Sequence, residues 1–87
     1  MNVSEEINKL LNEYISGDKF LVYEKLNKIF KKNKNNNKLR FNIAVIQQQL
    51  KLNKEARINY RFLIKLEDNI KAITNLYLIE LSEENYK

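Results

Sequence analysis

Apolar residues recur at three- and four-residue spacing along most of this chain, and polar breaks separate the runs. The pattern is clearest in residues 55–81, where two apolar stripes meet at the polar step 67–69. The stripes are Ala56, Tyr60, Leu63 and Ile64, and then Ile70, Ile73, Leu76, Tyr77 and Leu81. Residues three and four apart share one side of a helix, so each stripe predicts one helix face. A junction this short predicts two antiparallel neighbouring helices.

The preceding residues predict three further helices, ending near Ile15, Lys32 and Leu50. Between the first two we expect Gly17 to adopt the left-handed conformation that ends many helices, and Asp18 to cap the next helix. With one glycine and no proline in the sequence, little would break these helices. The predicted fold class is all-α, with about five antiparallel helices. The run Gln47-Gln48-Gln49 points one residue to each side of the third helix and is interpreted as polar filler.

The apolar pattern occurs twice, since Val22, Leu26, Ile29 and Phe30 recur with the same spacing as Ala56, Tyr60, Leu63 and Ile64. The offset between the two copies is the period of tetratricopeptide-repeat (TPR) arrays, about 34 residues. Local segments also resemble that family: residues 14–20 (YISGDKF) are similar to its inner turn, and 66–72 (LEDNIKA) to the junction between repeats. Lys54-Glu55-Ala56, followed by Tyr60, is similar to the opening of its second helix, and Glu84-Asn85-Tyr86 to the start of a further inner turn.

The resemblance implies a single domain over residues 1–87, with repeats at about 3–34 and 37–68 and a half repeat at 69–87. The family's small first-helix residue is present only as Ala44, and its usual proline at repeat ends is missing. The alternative prediction is therefore a compact helical bundle in which the repetition of the apolar pattern is accidental.

In the TPR family the first helix of each repeat lines a groove that binds a peptide or helix of a partner. The resemblance places that partner groove at Leu11, Phe41, Asn42, Val45, Gln48, Asn75 and Ile79. Each of these residues also has a plain alternative role in core packing. The carboxylate clamp of some TPR proteins is not predicted, because only Asn42 matches it.

The fifth predicted helix is apolar on more than one side, and nothing in the sequence supplies a further helix to cover it. Exposed apolar strips usually mark association sites. We therefore predict an association face at Leu76, Tyr77, Leu78 and Leu81. It would bind a second copy of the chain or a partner subunit.

The 87 residues include no cysteine and no histidine, which excludes thiol chemistry, disulfides and imidazole catalysis. A single glycine excludes a glycine-rich phosphate loop. We predict no enzyme activity and no cofactor or metal. No apolar run reaches the length of a membrane span, and the acidic N-terminus is unlike a secretory signal, so the expected location is cytoplasmic.

Charge is concentrated in the middle of the chain, where residues 25–65 contain twelve basic side chains and only Glu55 against them. The predicted basic patch consists of Lys28, Lys31, Lys32, Lys34, Lys38, Arg40, Lys54, Arg57 and Arg61. Such a patch either remains solvated or neutralises phosphates. The sequence thus predicts a protein-interaction module or small adaptor that binds a helical or extended segment and self-associates. The alternative is a basic protein that binds nucleic acid or an acidic protein surface, like small phage-type inhibitors.

Overall fold

The computed structural model describes residues 2–67 and 69–84. Within them the predicted all-α class is confirmed, with five helices packed in sequence. The helices are α1 (Val3–Ser16), α2 (Lys19–Lys32), α3 (Asn37–Gln49), α4 (Asn53–Glu67) and α5 (Ile70–Glu84). Asp68 of the predicted junction and Asn85 and Tyr86 of the predicted further turn lie outside the described residues.

Short polar side chains begin four of these helices. Each side-chain oxygen accepts a hydrogen bond from the backbone N–H three residues further on, at 2.8–3.1 Å. The capping residues are Asn2, Asp18, Asn36 and Asn69. These bonds satisfy N–H groups that the first helical turn leaves without partners. The abundant asparagine of the sequence therefore has a structural use at helix starts, and the predicted capping role of Asp18 is confirmed.

Gly17 ends α1 in a different way from the one the sequence predicts. Its φ of −111° and ψ of −162° are extended rather than left-handed. Its backbone N–H donates to the carbonyl oxygen of Glu13 at 2.7 Å. A Cβ at this position would lie 2.8 Å from the same oxygen, so close approach rather than backbone conformation favours glycine here.

Each helix packs mainly against its neighbours in the sequence, and α5 also touches α3. The core consists of two clusters that share α3. The first is formed by Ile7, Leu10, Tyr14, Val22, Leu26, Phe30, Leu39, Ile43 and Ile46. The second is formed by Ala44, Ala56, Tyr60, Leu63, Ala72 and Ile79. Helix α3 thus presents Ile43 to one cluster and Ala44 to the other.

The helix starts repeat along the chain with the period of the apolar pattern. The interval from the start of α1 at Val3 to the start of α3 at Asn37 equals the interval from α2 at Lys19 to α4 at Asn53. Helix α5 begins at Ile70, which is one position earlier than the same interval from α3 would place it. The Cα positions span 44 × 29 × 17 Å, so the domain is elongated, as expected when helices are added one after another.

Candidate interaction surfaces

The residues of the predicted partner groove belong to α1, α3 and α5. Leu11 and Asn42 line a small hollow of about 150 Å³ between α1 and α3. Phe41 and Asn42 line a second, wider hollow of about 480 Å³ together with Asn69 and Lys71 of the α5 side. Three of the seven predicted groove residues therefore line open hollows, although all three are half-buried and Leu11 and Phe41 also pack against the core clusters.

The other four groove residues line neither hollow, and each of them packs or forms a hydrogen bond within the domain. Ile79 is only 2% exposed and belongs to the second cluster, and Val45 is half-buried against that cluster. Gln48 and Asn75 both contact the hydroxyl of Tyr60. Ile79 in particular is held in the core, so a partner segment has no access to it.

The hydroxyl of Tyr60 joins three helices at the edge of the second cluster. It donates to Oε1 of Gln48 on α3 at 2.8 Å and accepts a bond from Nδ2 of Asn75 on α5 at 3.3 Å. Burial raises the pKa of Tyr60 above its ordinary value of 10.0, an effect that the bond from Asn75 partly opposes. The hydroxyl therefore stays protonated and able to donate at neutral pH.

The interpretation of the three glutamines as polar filler is wrong for all of them. Gln47 is 4% exposed, donates to the hydroxyl of Tyr23 at 2.9 Å and accepts from Nδ2 of Asn59 at 2.8 Å. Gln49 accepts from the hydroxyl of Tyr14 at 2.7 Å. Consecutive helical residues point about 100° apart, so three adjacent amides can reach three different helices. Three consecutive glutamines, together with tyrosines on the neighbouring helices, are the sequence signal from which these hydrogen bonds could have been predicted.

The predicted association face is exposed apart from one residue. Tyr77, Leu78 and Leu81 are 62%, 49% and 39% exposed, whereas Leu76 is half-buried against the second cluster. Ile70 and Ile73, which the sequence assigns to the packing stripe of this helix, are exposed as well. The predicted packing stripe of α5 is therefore wrong in large part, because Ala72 and Ile79 make the buried face. The opposite face is apolar and uncovered among the described residues.

Arg40 of the predicted basic patch is built into the domain. Its guanidinium carbon lies 3.7 Å from the ring centre of Phe62 and 4.8 Å from that of Phe30. It donates from Nη1 to Oδ1 of Asn59 at 3.0 Å, and its buried Nε has no acceptor among the described atoms. Partial burial lowers the pKa of Arg40 below its ordinary value, and the side chain remains charged at neutral pH.

Two other arginines of the patch bind carboxylates of α5. Arg57 pairs with Glu80 at 3.4 Å and also with Glu83. Arg61 lies 3.6 Å from Glu80, and its side chain is 61% exposed. These pairs join α4 to α5 and remove Arg57 from any free basic surface.

The remaining members of the patch are solvent-exposed lysines. They are Lys28, Lys31, Lys32, Lys34, Lys38 and Lys54. Among the described side chains, no carboxylate pairs with any of them. Lys28 and Lys32 line an open groove of about 760 Å³ between α1 and α2, which Glu6 and Glu13 also line. The positive surface is thus smaller than the sequence predicts and carries acidic groups at one edge.

Sequence reasoning missed a groove of about 550 Å³ on α4. It is lined by Arg40, Ile58, Arg61, Phe62, Ile64, Lys65 and Leu76. Ile58 and Phe62 are 59% and 42% exposed. Their spacing of four residues, with basic residues beside them, is visible in the sequence. The fourth helix is, however, first recognised by the apolar stripe that faces the core, and this second stripe was overlooked.

Comparison with known proteins identifies no relative: no known protein family, curated protein sequence or solved structure matches this chain. No helix in the described part of the chain is long and apolar enough to cross a membrane. The same residues contain no group of three or more acidic side chains arranged to hold a metal ion.

Proposed function

We propose that this chain is a non-catalytic, TPR-like protein-interaction module that associates through the outward face of α5. The single observation that carries the proposal is the exposure of Ile70, Ile73, Tyr77, Leu78 and Leu81 along that helix. A helix that is apolar on opposite faces is normally buried on both. The partner on this face is a helical segment, and a second copy of the chain is the first candidate.

One possible arrangement of two copies has a two-fold axis at Tyr77, the middle residue of α5, which would place two α5 helices antiparallel. Ile73 would then lie opposite Leu81 of the second copy. A two-fold contact is self-complementary and closes the assembly as a dimer.

The TPR-like part of the proposal rests on the helix starts as well as on the sequence. The equal intervals from α1 to α3 and from α2 to α4 match the TPR period. The hollows at Leu11, Phe41 and Asn42 are lined by three of the residues that the resemblance predicts for the partner groove, which supports this part of the proposal. A short extended or helical segment is the ligand proposed for those hollows.

The test is the mass of the protein in solution by light scattering, at low and high salt. The wild type should form a dimer that persists in high salt, because apolar contacts are not screened by ions. Tyr77→Lys together with Leu78→Lys should give a monomer. Ile79→Lys is unsuitable, because this residue is buried and the charge would unfold the domain.

A matched control changes two exposed apolar residues elsewhere. Ile15 and Phe20 are 78% and 57% exposed on α1 and α2, so Ile15→Lys with Phe20→Lys adds the same charge away from α5. This control should remain a dimer. A wild-type monomer at both salt concentrations, or equal dissociation of both variants, would refute association through α5.

A second candidate function is binding to a polyanion through the lysines at the junction of α2 and α3. Lys31, Lys32, Lys34 and Lys38 are exposed, and no carboxylate pairs with them among the described residues. Such binding would be independent of sequence and would weaken steeply with salt. Retention of the wild type on a phosphate matrix, lost at high salt and in Lys31→Gln/Lys32→Gln, would favour this candidate.

A further inference from the structure

The outward face of α4 combines apolar and basic residues in one stripe. Ile58 and Phe62 lie one turn apart, and Lys54, Arg61 and Lys65 are spaced to lie on the same side of the helix. All five side chains are exposed. The exposed charges on this face are basic except for Glu55, which lies one turn before Ile58.

The stripe borders a concave site rather than a flat surface. The groove of about 550 Å³ runs beside α4, where half-buried Ile64 and Leu76 join the exposed Phe62. Grooves of this kind bind amphipathic helices, which insert side chains spaced three or four residues apart. The volume falls within the range of sites that hold a specific ligand.

Arg40 places a fixed positive charge at the side of this groove. Its guanidinium lies against the ring of Phe62 at 3.7 Å and bonds to the amide of Asn59, and no described carboxylate pairs with it. Lys65 adds a second positive charge, and no described carboxylate pairs with it. Arg61 forms a solvent-exposed ion pair with Glu80. Exposed pairs of this kind contribute little, so Arg61 can exchange Glu80 for another carboxylate.

We propose that the α4 groove binds an acidic amphipathic helix of a partner protein. The apolar stripe of that helix would pack on Ile58, Phe62 and Leu76, and its flanking carboxylates would pair with Arg61 and Lys65. Charge complementarity of this type sets the choice and orientation of a partner.

A second copy of this chain fits the groove poorly. Two α4 faces in contact would bring Arg61 and Lys65 against the same residues of the other copy, and like charges oppose association. Of the chain's own helices, α1 and α5 carry more acidic than basic residues. In α1 the apolar residues Ile7 and Leu10 are already buried in the first cluster, and in α5 the carboxylates of Glu80 and Glu83 already pair with arginines of α4. Nucleic acid would leave the exposed Ile58 and Phe62 without apolar partners.

The test uses two labelled peptides of about 14 residues, roughly four helical turns. Both carry leucine at three- and four-residue spacing; one has glutamates beside that stripe and the other has lysines. Fluorescence anisotropy should show that the wild type binds the glutamate peptide at least about tenfold more tightly, as expected for two or more new ion pairs. Lys65→Glu alone should reduce or reverse this preference.

The double variant Ile58→Ser/Lys65→Glu should lose tenfold or more in affinity for the glutamate peptide. Its matched control, Ile15→Ser/Lys9→Glu, makes the same changes at exposed sites on α1 and should bind as the wild type does. Tyr77→Lys/Leu78→Lys should also bind normally, so failure of this proposal is separable from failure of association through α5.

Three results would overturn the proposal. Equal affinity of the wild type for both peptides would show that carboxylates are not recognised. Equal loss in the double variant and its α1 control would place binding elsewhere. Binding of the wild type to phosphatidylserine vesicles, abolished by Ile58→Ser/Lys65→Glu and without any preference between the peptides, would assign this face to an anionic membrane surface.

Discussion

At the scale of single residues, a chain of polar side chains crosses the domain from α2 to α4. Tyr23, Gln47, Asn59 and Arg40 are linked by three hydrogen bonds of 2.8–3.0 Å. Gln47 and Asn59 are 4% and 8% exposed, so each amide has exchanged water for a protein partner. Buried polar groups that are satisfied in this way specify one packing arrangement, because a shifted helix would leave them unpaired.

The first prediction concerns the centre of this chain. Gln47→Leu keeps the side-chain size but removes the acceptor of Asn59 and the donor to Tyr23. The free energy of unfolding in urea should fall by about 2–3 kcal/mol, since a buried group without its partner costs about 1–3 kcal/mol.

Gln49→Leu is the control for that prediction. Gln49 is exposed and makes one bond, to Tyr14, so its loss should cost about 1 kcal/mol or less. Equal effects of the two substitutions would show that the buried chain contributes nothing special to stability.

The sequence allows the buried apolar residues to be predicted more readily than these polar ones. The stripe Ala56, Tyr60, Leu63 lies in the core as its spacing predicts, because a helix with one apolar face has only one way to bury it. Gln47 has the same residue type as its neighbours Gln48 and Gln49, and only the position of other helices makes it buried. Tertiary contacts therefore decide what a local pattern cannot.

At the scale of elements, α5 shows where apolar spacing fails to predict which side of a helix is buried. Ile70, Ile73 and Tyr77 are correctly spaced for a packed stripe, yet they face solvent. The buried face uses Ala72 instead, and Ala72 is fully buried in the second cluster. When a helix is apolar on both sides, spacing alone cannot choose the face, and the small residue that permits close packing is the better guide.

The second feature at this scale is the end of α1. The sequence correctly indicates that Gly17 ends this helix, but the left-handed conformation predicted for it is wrong. Gly17→Ala would bring a Cβ to 2.8 Å from the carbonyl oxygen of Glu13, which is backbone and cannot rotate away. We expect a loss of about 1–3 kcal/mol in the free energy of unfolding, as for other overpacked sites.

A comparison of Gly17→Asn with Gly17→Ala distinguishes the two reasons for glycine at this position, which are a left-handed backbone conformation and the close approach of a neighbouring oxygen atom. Asn tolerates the left-handed conformation better than alanine does, so Gly17→Asn would be the milder change if that conformation were required. With φ at −111°, Gly17→Asn should be at least as destabilising as Gly17→Ala. Ser16→Ala, at an exposed neighbour, should have little effect on thermal or urea unfolding.

At the scale of the whole molecule, α3 is the helix that contributes to both clusters among the described residues. Helices α1 and α2 contribute to the first cluster, and α4 and α5 to the second. In arrays where each unit contacts only its neighbours, stability is close to a sum of local terms. A compact bundle with one shared core would instead unfold as a single unit.

Amide hydrogen exchange in two core variants distinguishes these cases. Leu26 and Leu63 are each fully buried, one in each cluster, and truncation to alanine should cost about 2–5 kcal/mol. Leu26→Ala should speed exchange in α1 and α2 by at least about thirtyfold and affect α5 much less. Leu63→Ala should do the reverse, with α3 affected by both. Uniform acceleration of amide exchange across all five helices in either variant would show that the domain unfolds as one cooperative bundle. The repeated interval between helix starts would then not correspond to separate units of stability.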